Sequence, residues 1–454
     1  MTANELYSRQ RDAWLEHPHP DAEYRLRAIR RIREWVRAHR SDIRAALTAD
    51  LGKPEAETDL TEILVVLMEA KYALRRLRRW MKPRRAGTPL ALFGSRSRVS
   101  VEPKGVVLII SPWNFPFNLA LMPLISALAA GNRCVIKPSE LSPATSRLVA
   151  SMVAELFSPE EVAVLEGDAE AAKALLAEPF DHIFFTGSDR VGRKVMEAAA
   201  RNLSSVTLEL GGKTPAVVDR SAHLATAAER IVWAKYVNAG QTCIAPDYVL
   251  VPEDLEEGFV REATAALERL YPDATPQRHA GAYARIVTRR HADRLRALID
   301  EAVSAGATAV APLDEVGAGA GAGADEGGDA AEGDTADDHF VPPVILRGAG
   351  SDMSVMREEI FGPVLPVIPV SGRREAFAFV RERPRPLALY MFAADRRATR
   401  EACTDTSAGG VCLNDGLLHY LNPELPFGGV GNSGTGKAHG KSGFLEFSNR
   451  KPVL

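Results

Sequence analysis

From Gly105 to Leu210 short apolar runs alternate with segments of helical character, and no other feature of the chain restricts its fold as tightly. VVLII (106–110), CVIK (134–137), VAVL (162–165), HIFF (182–185) and VTLEL (206–210) are too short for helices and read as buried strands. Residues 117–130 between the first two are helical in character and stop at Gly131, a residue suited to a left-handed C-terminal cap. Ser142-Pro143 predicts another helix, with Ser at the N-cap and Pro at the first helical position. A further helix starts near Ser188. Five strands with helices between them, over roughly 105 residues, predict a parallel, doubly wound sheet.

After Gly211 the alternation restarts. AVVD (216–219) precedes a helix over roughly 222–238, YVLVP (248–252) reads as a strand, and the series runs on to GGVCLN (409–414). A second α/β unit is the expectation, and 454 residues at roughly 150 per domain leave room for about three folding units. Ahead of both, Leu26, Ile29, Ile32, Val36, Ile43 and Leu47 fall at mostly helical spacing between Asp21 and Ala49. One stretch stands apart. Residues 317–338 have no apolar side chain larger than Ala and are rich in Gly and acid, which predicts a disordered surface insertion between two strands.

Composition excludes several classes. With 46% apolar and 25% charged residues the chain is neither disordered throughout, nor collagen-like, nor a disulfide scaffold. Lys and Arg (56) nearly balance Asp and Glu (59), so nucleic acid is not an expected partner. The basic stretch RRLRRWMKPRR (75–85) carries Leu77, Trp80 and Met81 between its charges and reads as a solvated or subunit-facing helix. Four cysteines form no CxxC pair, which argues for a reducing compartment and against a metal site. The N-terminus lacks the apolar core of a secretory signal, and FSNRKPVL at the other end has no hydrophobic tail. The most apolar segment, Phe117 to Ala130, falls short of the roughly 20 residues of a membrane span. A cytoplasmic protein without membrane attachment is expected.

Several residues are placed for chemistry, and each also has a structural reading. Cys243 follows a predicted helix in the polar NAGQTCIAPD, where a thiolate would be accessible, although a lone cysteine is often an inert small hydrophobe. Glu209 ends VTLEL before two glycines, as a general base of raised pKa or as a salt-bridged structural acid. Asn114 follows a strand at its C-terminal edge, where it would donate to an oxyanion or cap a turn. TGSDRVG, with Gly187, Ser188 and Gly192, opens a helix whose amides suit a pyrophosphate, and KPSE offers Lys137 and Glu140 after another strand.

Taken in order, SPWNFP, KPSE, FTGS, LELGGK, GQTC, EEIFGPV and PFGGVGNSG resemble the aldehyde dehydrogenase superfamily from the N-terminal helices to the last residues. The class 3 branch is the most similar, on PLISALAAGNRCVIKPSELSPATS, GQTCIAPDY and LPFGGVGNSG followed by HGK and FS. The resemblance implies two Rossmann-like domains with a small bridging and oligomerisation element. Residues 1–82 and 105–210 would bind the dinucleotide, 211–411 would form the catalytic domain, and 83–104 with 412–454 would bridge, in a homodimer. It implies NAD(P)-dependent oxidation of aldehydes to acids, with Cys243 as the nucleophile, Asn114 and the Cys243 amide as the oxyanion hole, and Glu209 as the base that releases the acid. Lys137 and Glu140 would contact the adenosine ribose, Trp113 and Ser188 would lie near the pyrophosphate, Glu359 would hold the nicotinamide ribose and Phe361 would wall the ring. NAD is the expected cofactor, with NADP also accepted. CoA-acylating chemistry and a non-catalytic nucleotide-binding role are the alternatives.

The apolar residues flanking this chemistry, Phe115, Leu119, Trp233 and Ile244 beside Thr242, suggest medium-chain aliphatic or aromatic aldehydes. Departures from the family pattern are Asp189 in the TGS turn, Pro123 where other classes carry a lysine, and Ala438 where class 3 usually has Tyr. Lys235, on the helix before Cys243, reads first as a surface lysine and second as a substitute for the lysine that Pro123 replaces.

Overall fold

The computed structural model describes residues 1–275, 280–310 and 339–454, so the expected insertion at 317–338 lies outside the described residues. The chain divides into two compact units, one of Met1–Asp50, Glu55–Gly211 and His419–Leu454, the other of Leu51–Pro54 and Gly212–Leu418.

In the first unit β1 (Arg84–Arg85) and β2 (Arg98–Pro103) precede β3 (Val106–Ile110), β4 (Arg133–Lys137), β5 (Val162–Val164), β6 (His182–Gly187) and β7 (Ser205–Leu210). The second unit contributes β8 (Pro215–Val218), β9 (Tyr248–Pro252), β10 (Thr308–Val310), β11 (Val344–Arg347), β12 (Val364–Val370), β13 (Ala388–Phe392) and β14 (Gly410–Leu413). The chain returns to the first unit with β15 (Gly434–Thr435) and β16 (Ser448–Val453).

The main sheet of the first unit has the order β15-β7-β6-β3-β4-β5, parallel except for β15. The five alternating runs are its five parallel strands. After β5 the chain crosses back to the other side of β3, so the strand order reverses there, and ligands of such sheets bind outside the carboxyl ends at that reversal. All five residues of β3 are buried, as a strand covered on both faces requires. The second unit's sheet, β10-β11-β12-β9-β8-β13-β14, is parallel except at β10. A separate antiparallel sheet, β1-β2-β16, uses the end of the basic stretch: the helix Leu64–Trp80 stops at Trp80, and Arg84–Arg85 pair with β2.

The helix Asn118–Ala130 is buried almost throughout and ends at Gly131, whose φ of 93° is left-handed. Arg25, itself buried, donates to the carbonyls of Ala129 (3.1 Å) and Ala130 (2.6 Å), satisfying acceptors that a helix end leaves open. A Cβ at Gly131 would lie 2.7 Å from that guanidinium carbon, so the glycine serves both the turn and the cap. The apolar series from Leu26 to Leu47 is fully buried but spans two helices, Ala22–Ala38 and Arg40–Leu51, separated at His39. Among the described residues no helix is long and apolar enough to cross a membrane.

One cap differs from expectation. Ser142 does occupy the N-cap of Pro143–Leu156, but its hydroxyl makes no capping bond. Asp50 takes that role from a distance, accepting from the amides of Ala144 (2.9 Å) and Thr145 (2.8 Å) and from the Thr145 hydroxyl (2.7 Å). A carboxylate at a helix N-terminus also gains from the helix dipole, which a serine does not. Asp50→Ala is therefore expected to destabilise the protein by about 1–2 kcal/mol, and Ser142→Ala by much less. Denaturant midpoints of the two variants, compared with the parent, check the order.

Candidate active site

The loop after β3 carries Trp113, half-buried, and Asn114, buried, at the carboxyl edge where the strand order reverses. Lys137, the last residue of β4, is buried, and its ammonium pairs with Glu140 at 2.7 Å. The KPSE turn thus brings its cation and acid together, leaving the Glu140 side chain 45% exposed. After β6, Ser188 is the exposed N-cap of the helix Asp189–Asn202, and no side chain caps it. Asp189 supplies an acid to the first turn, which favours the helix and occupies the positive end of its dipole. Gly187 and Gly192 serve close packing: a Cβ would lie 2.6 Å from the Phe185 ring at the first and 2.8 Å from the Leu210 side chain at the second.

Glu209 is the penultimate residue of β7 and is 6% exposed. Neither carboxylate oxygen has a hydrogen-bond partner among the described residues. Burial raises its pKa well above the ordinary carboxylate range; the Lys437 cation pulls it down and Glu446 pushes it further up. No cation is within hydrogen-bonding distance of the Glu209 carboxylate among the described residues.

Cys243 and its supports belong to the second unit. The helix Leu224–Tyr236 runs into a tight turn in which Asn238 and Ala239 take left-handed φ of 55° and 51°. Buried Gln241 pins this turn, donating to the carbonyls of Asn238 (3.0 Å) and Arg285 (2.9 Å) and accepting from the Val287 amide (3.0 Å). Tyr390, fully buried, donates its hydroxyl to the Ile244 carbonyl at 2.6 Å, directly after the thiol. Cys243 is half-buried, as is Cys412, whereas Cys134 is buried, with its pKa pushed far up by desolvation, and Cys403 is exposed.

The loop EEIFGPV is held against this turn. Gly240 has φ 74°, and a Cβ there would meet the Gly362 carbonyl oxygen at 2.3 Å; a Cβ on Gly362 would meet the Leu295 side chain at 2.3 Å. Phe361, directly before Gly362, has a left-handed φ of 49°. Below lies a buried ion pair, Lys213 with Asp247. Lys213 also donates to the carbonyls of Val355 (2.8 Å) and Glu358 (3.0 Å), and Asp247 accepts from the Ile360 amide (3.1 Å). The Lys of LELGGK and the Asp of CIAPD are thus fasteners for the loop that carries Glu359 and Phe361. Glu359 reaches the surface in part, yet desolvation first and Asp247 second raise its pKa to about 8, against the Gly212 amide, Lys213 and Arg294.

Lys235 corrects the sequence reading. It is fully buried, its ammonium has no hydrogen-bond partner among the described residues, and desolvation lowers its pKa to about 8. The last two turns of its helix are covered on nearly every side, so helical periodicity gives no exposed face there. Pro123 is likewise buried, inside its helix. Ala438 uses only its backbone, exchanging hydrogen bonds with Phe427 at 3.1 and 2.6 Å. Sequence reasoning missed Lys437 and Glu446, the charged groups that act on Glu209; for Lys437 the signal available was its place beside the atypical Ala438. Thr242, expected beside the chemistry, has a buried hydroxyl oxygen with no partner among the described residues.

Residues 3–453 match the aldehyde dehydrogenase family. A probable coniferyl aldehyde dehydrogenase of Pseudomonas aeruginosa is 43% identical over 99% of this chain and 90% of its own length. Rat aldehyde dehydrogenase family 3 member B1 is 39% identical over 95% of this chain and 87% of its own. Among solved structures, substrate-bound AldH of Staphylococcus aureus superposes with a TM-score of 0.90 at 38% identity, covering 100% of this chain and 94% of its own. An aldehyde dehydrogenase of Mycobacterium tuberculosis complexed with NAD+ gives 0.86 at 27% identity, covering 100% and 90%.

Removing one partner of a buried ion pair leaves the other uncompensated, at about 3–5 kcal/mol. Asp247→Ala is expected to lower the denaturation midpoint by that order, because Lys213 keeps its burial and Lys235 loses the anion that most favours its charged form. Asp254→Ala, which breaks an exposed pair with Arg220, is expected to change it little. Parallel denaturant titrations distinguish the two.

Proposed function

The chain belongs to the aldehyde dehydrogenase family, and we propose that Cys243, Asn114 and Glu209 carry its reaction, the NAD-dependent oxidation of an aldehyde to the carboxylic acid. The Cys243 sulfur adds to the carbonyl carbon, and the displaced π pair comes to rest on oxygen, where the Asn114 amide and the Cys243 backbone N–H donate to it. When bound, the nicotinamide supplies the hydride acceptor that turns this thiohemiacetal into a thioester. Glu209 takes a proton from water as the water oxygen attacks the thioester; the C–S bond breaks, and the acid and the thiolate part.

The observation that carries this reading is the Glu209 carboxylate, buried with both oxygens unpartnered and its pKa raised. A carboxylate so placed holds no structure, and the proton affinity that burial gives it suits a group that takes a proton in the reaction. A water-activating base serves hydrolysis, which speaks against CoA-acylating chemistry. Dinucleotide binding is supported by the uncapped, exposed amide end after Ser188 and by the half-exposed Glu140, with Lys137 beside it. Trp113, Gly187 and Gly192 complete the dinucleotide contacts in this reading, with Glu359 and Phe361 at the nicotinamide end.

Residues 1–82 and 105–210 are assigned to dinucleotide binding and 211–411 to catalysis, with 83–104 and 412–454 as bridging segments of a cytoplasmic homodimer. The exposed Leu90 and Phe93 beside β2 support an intersubunit role for that segment. Medium-chain aliphatic or aromatic aldehydes suit Phe115, Leu119, Trp233, Thr242 and Ile244, and the Pseudomonas relative is named for an aromatic aldehyde.

Glu209→Gln is expected to keep a first-turnover burst of NADH and to slow the steady state by about 10²–10⁴-fold. Equal loss of both phases in stopped-flow absorbance would show that Glu209 acts on the thiol or on structure. Cys243→Ala is expected to lose both phases and still bind NAD. NAD is expected to exceed NADP in kcat/KM by about tenfold, or about 1.4 kcal/mol, because a 2′-phosphate would sit beside Glu140. Glu140→Gln would narrow that gap by improving NADP, and a wild-type preference for NADP would contradict the assignment.

A further inference from the structure

The glycine-rich tail after Pro426 returns to β7 and builds the wall beside Glu209. β15 pairs antiparallel with β7 and sets Gly434 opposite Glu209 and Thr435 opposite Leu208. At Gly434 a Cβ would lie 2.0 Å from the Leu208 carbonyl oxygen, so this approach requires glycine. Gly428 is the second close approach: a Cβ there would lie 3.0 Å from Glu209 Oε1 and 3.1 Å from Lys437 Cδ. The Lys437 stem and the Glu209 carboxylate therefore face each other across one side-chain-free position. The Lys437 ammonium is anchored on backbone, donating to the Gly428 carbonyl and, at 3.4 Å, to that of Gly429.

A second charge sits on the far side. Glu446 accepts from the Thr207 hydroxyl at 2.7 Å and from the Lys437 amide at 3.4 Å. Thr207 and Glu209 are two apart on one strand and so share a face of the sheet. Thr207 also meets His182 Nε2 at 3.2 Å, but desolvation and Lys104 hold that imidazole's pKa well below its ordinary value, so it is neutral near pH 7. Lys104 contacts the opposite ring nitrogen of His182 at 3.1 Å.

We propose that Lys437 is a positioning residue for the base: its anchored ammonium holds positive charge beside Glu209 and sets the pH range over which Glu209 takes a proton from water, with Glu446 opposing it. This rests on Glu209 being the base that hydrolyses the thioester. The electrostatics agree in sign, since Lys437 stabilises the ionised carboxylate and Glu446 disfavours it. Glu209 in turn raises the pKa of Lys437 against the lowering by burial. The carbonyl anchors matter because a lysine stem has several rotatable bonds and would otherwise swing into solvent.

The test is the rate of acid release from preformed acyl-enzyme, followed by quenched flow across pH, with the NADH burst amplitude counting intact sites. Glu209 acts as the carboxylate, so the rate falls as pH drops through its pKa. Removing the cation raises that pKa, and Lys437→Met is expected to move the acidic limb up by about one pH unit. Lys437→Arg keeps the charge and is expected to leave the limb in place, and Glu446→Gln to move it down. An unmoved limb in Lys437→Met, or shifts of the same sign in Lys437→Met and Glu446→Gln, overturns the proposal. If Glu209→Gln still separates burst from turnover while the Lys437→Met limb stays put, only the role of Lys437 falls. If Glu209→Gln does not separate them, the reading beneath it falls.

Discussion

A carboxylate buried at the end of a strand, with no hydrogen bond among the described residues, is costly, and the backbone around it is shaped to that arrangement. Leaving a buried polar group unpaired costs about 1–3 kcal/mol, and more when it is charged. β7 cannot move to relieve Glu209, because it is paired with β6 on one side and β15 on the other. Glycines 428 and 434 let main chain approach where any side chain would collide or supply a partner. The tail thus covers the carboxylate while setting one cation, Lys437, and one opposing anion, Glu446, at a distance from it. Such a group contributes nothing to stability that an apolar residue would not improve, which is the mark of a residue kept for chemistry.

The second unit treats buried charge differently. Lys213 and Asp247 neutralise each other and bond to four backbone groups: Lys213 to the carbonyls of Val355 and Glu358, the Asp247 carboxylate to the Ile360 amide, and the Asp247 amide to the Thr214 carbonyl. That network locks the Glu359–Phe361 loop against the turn before Cys243. Lys235 lies in the same field with no partner of its own, so the unit contains both a satisfied pair and an unsatisfied cation. Left-handed backbone at Asn238, Ala239 and Phe361 shows where this packing overrides local preference, at about 1–3 kcal/mol each.

What was legible in the sequence followed from local rules. Apolar runs of four or five residues became parallel strands, and Gly131 ended its helix, because burial on both faces and φ are set by the residues themselves. Cys243 and Asn114 stood out by their place after a helix and a strand. What escaped depends on contacts between distant segments. Asp50 caps a helix more than ninety residues away, and nothing near Ser142 predicts that its own hydroxyl is displaced. Lys235 looked like a surface residue because periodicity reports one neighbouring layer, and its helix has more than one. Lys437 acquires meaning only through the pairing of β15 with β7. Lys213 and Asp247 lie in motifs that suggest chemistry, and the structure makes them fasteners.

The central claim is that Glu209 is a base whose proton affinity has been lifted by burial. It can be seen directly by infrared difference spectroscopy of wild type against Glu209→Gln across a pH titration, which cancels the other buried acids such as Glu69 and Glu359. The account predicts a protonated carboxyl band in the difference spectrum that persists well above the ordinary carboxylate range and disappears as pH rises further. A Glu209 carboxyl that is already fully ionised at pH 5 would contradict it.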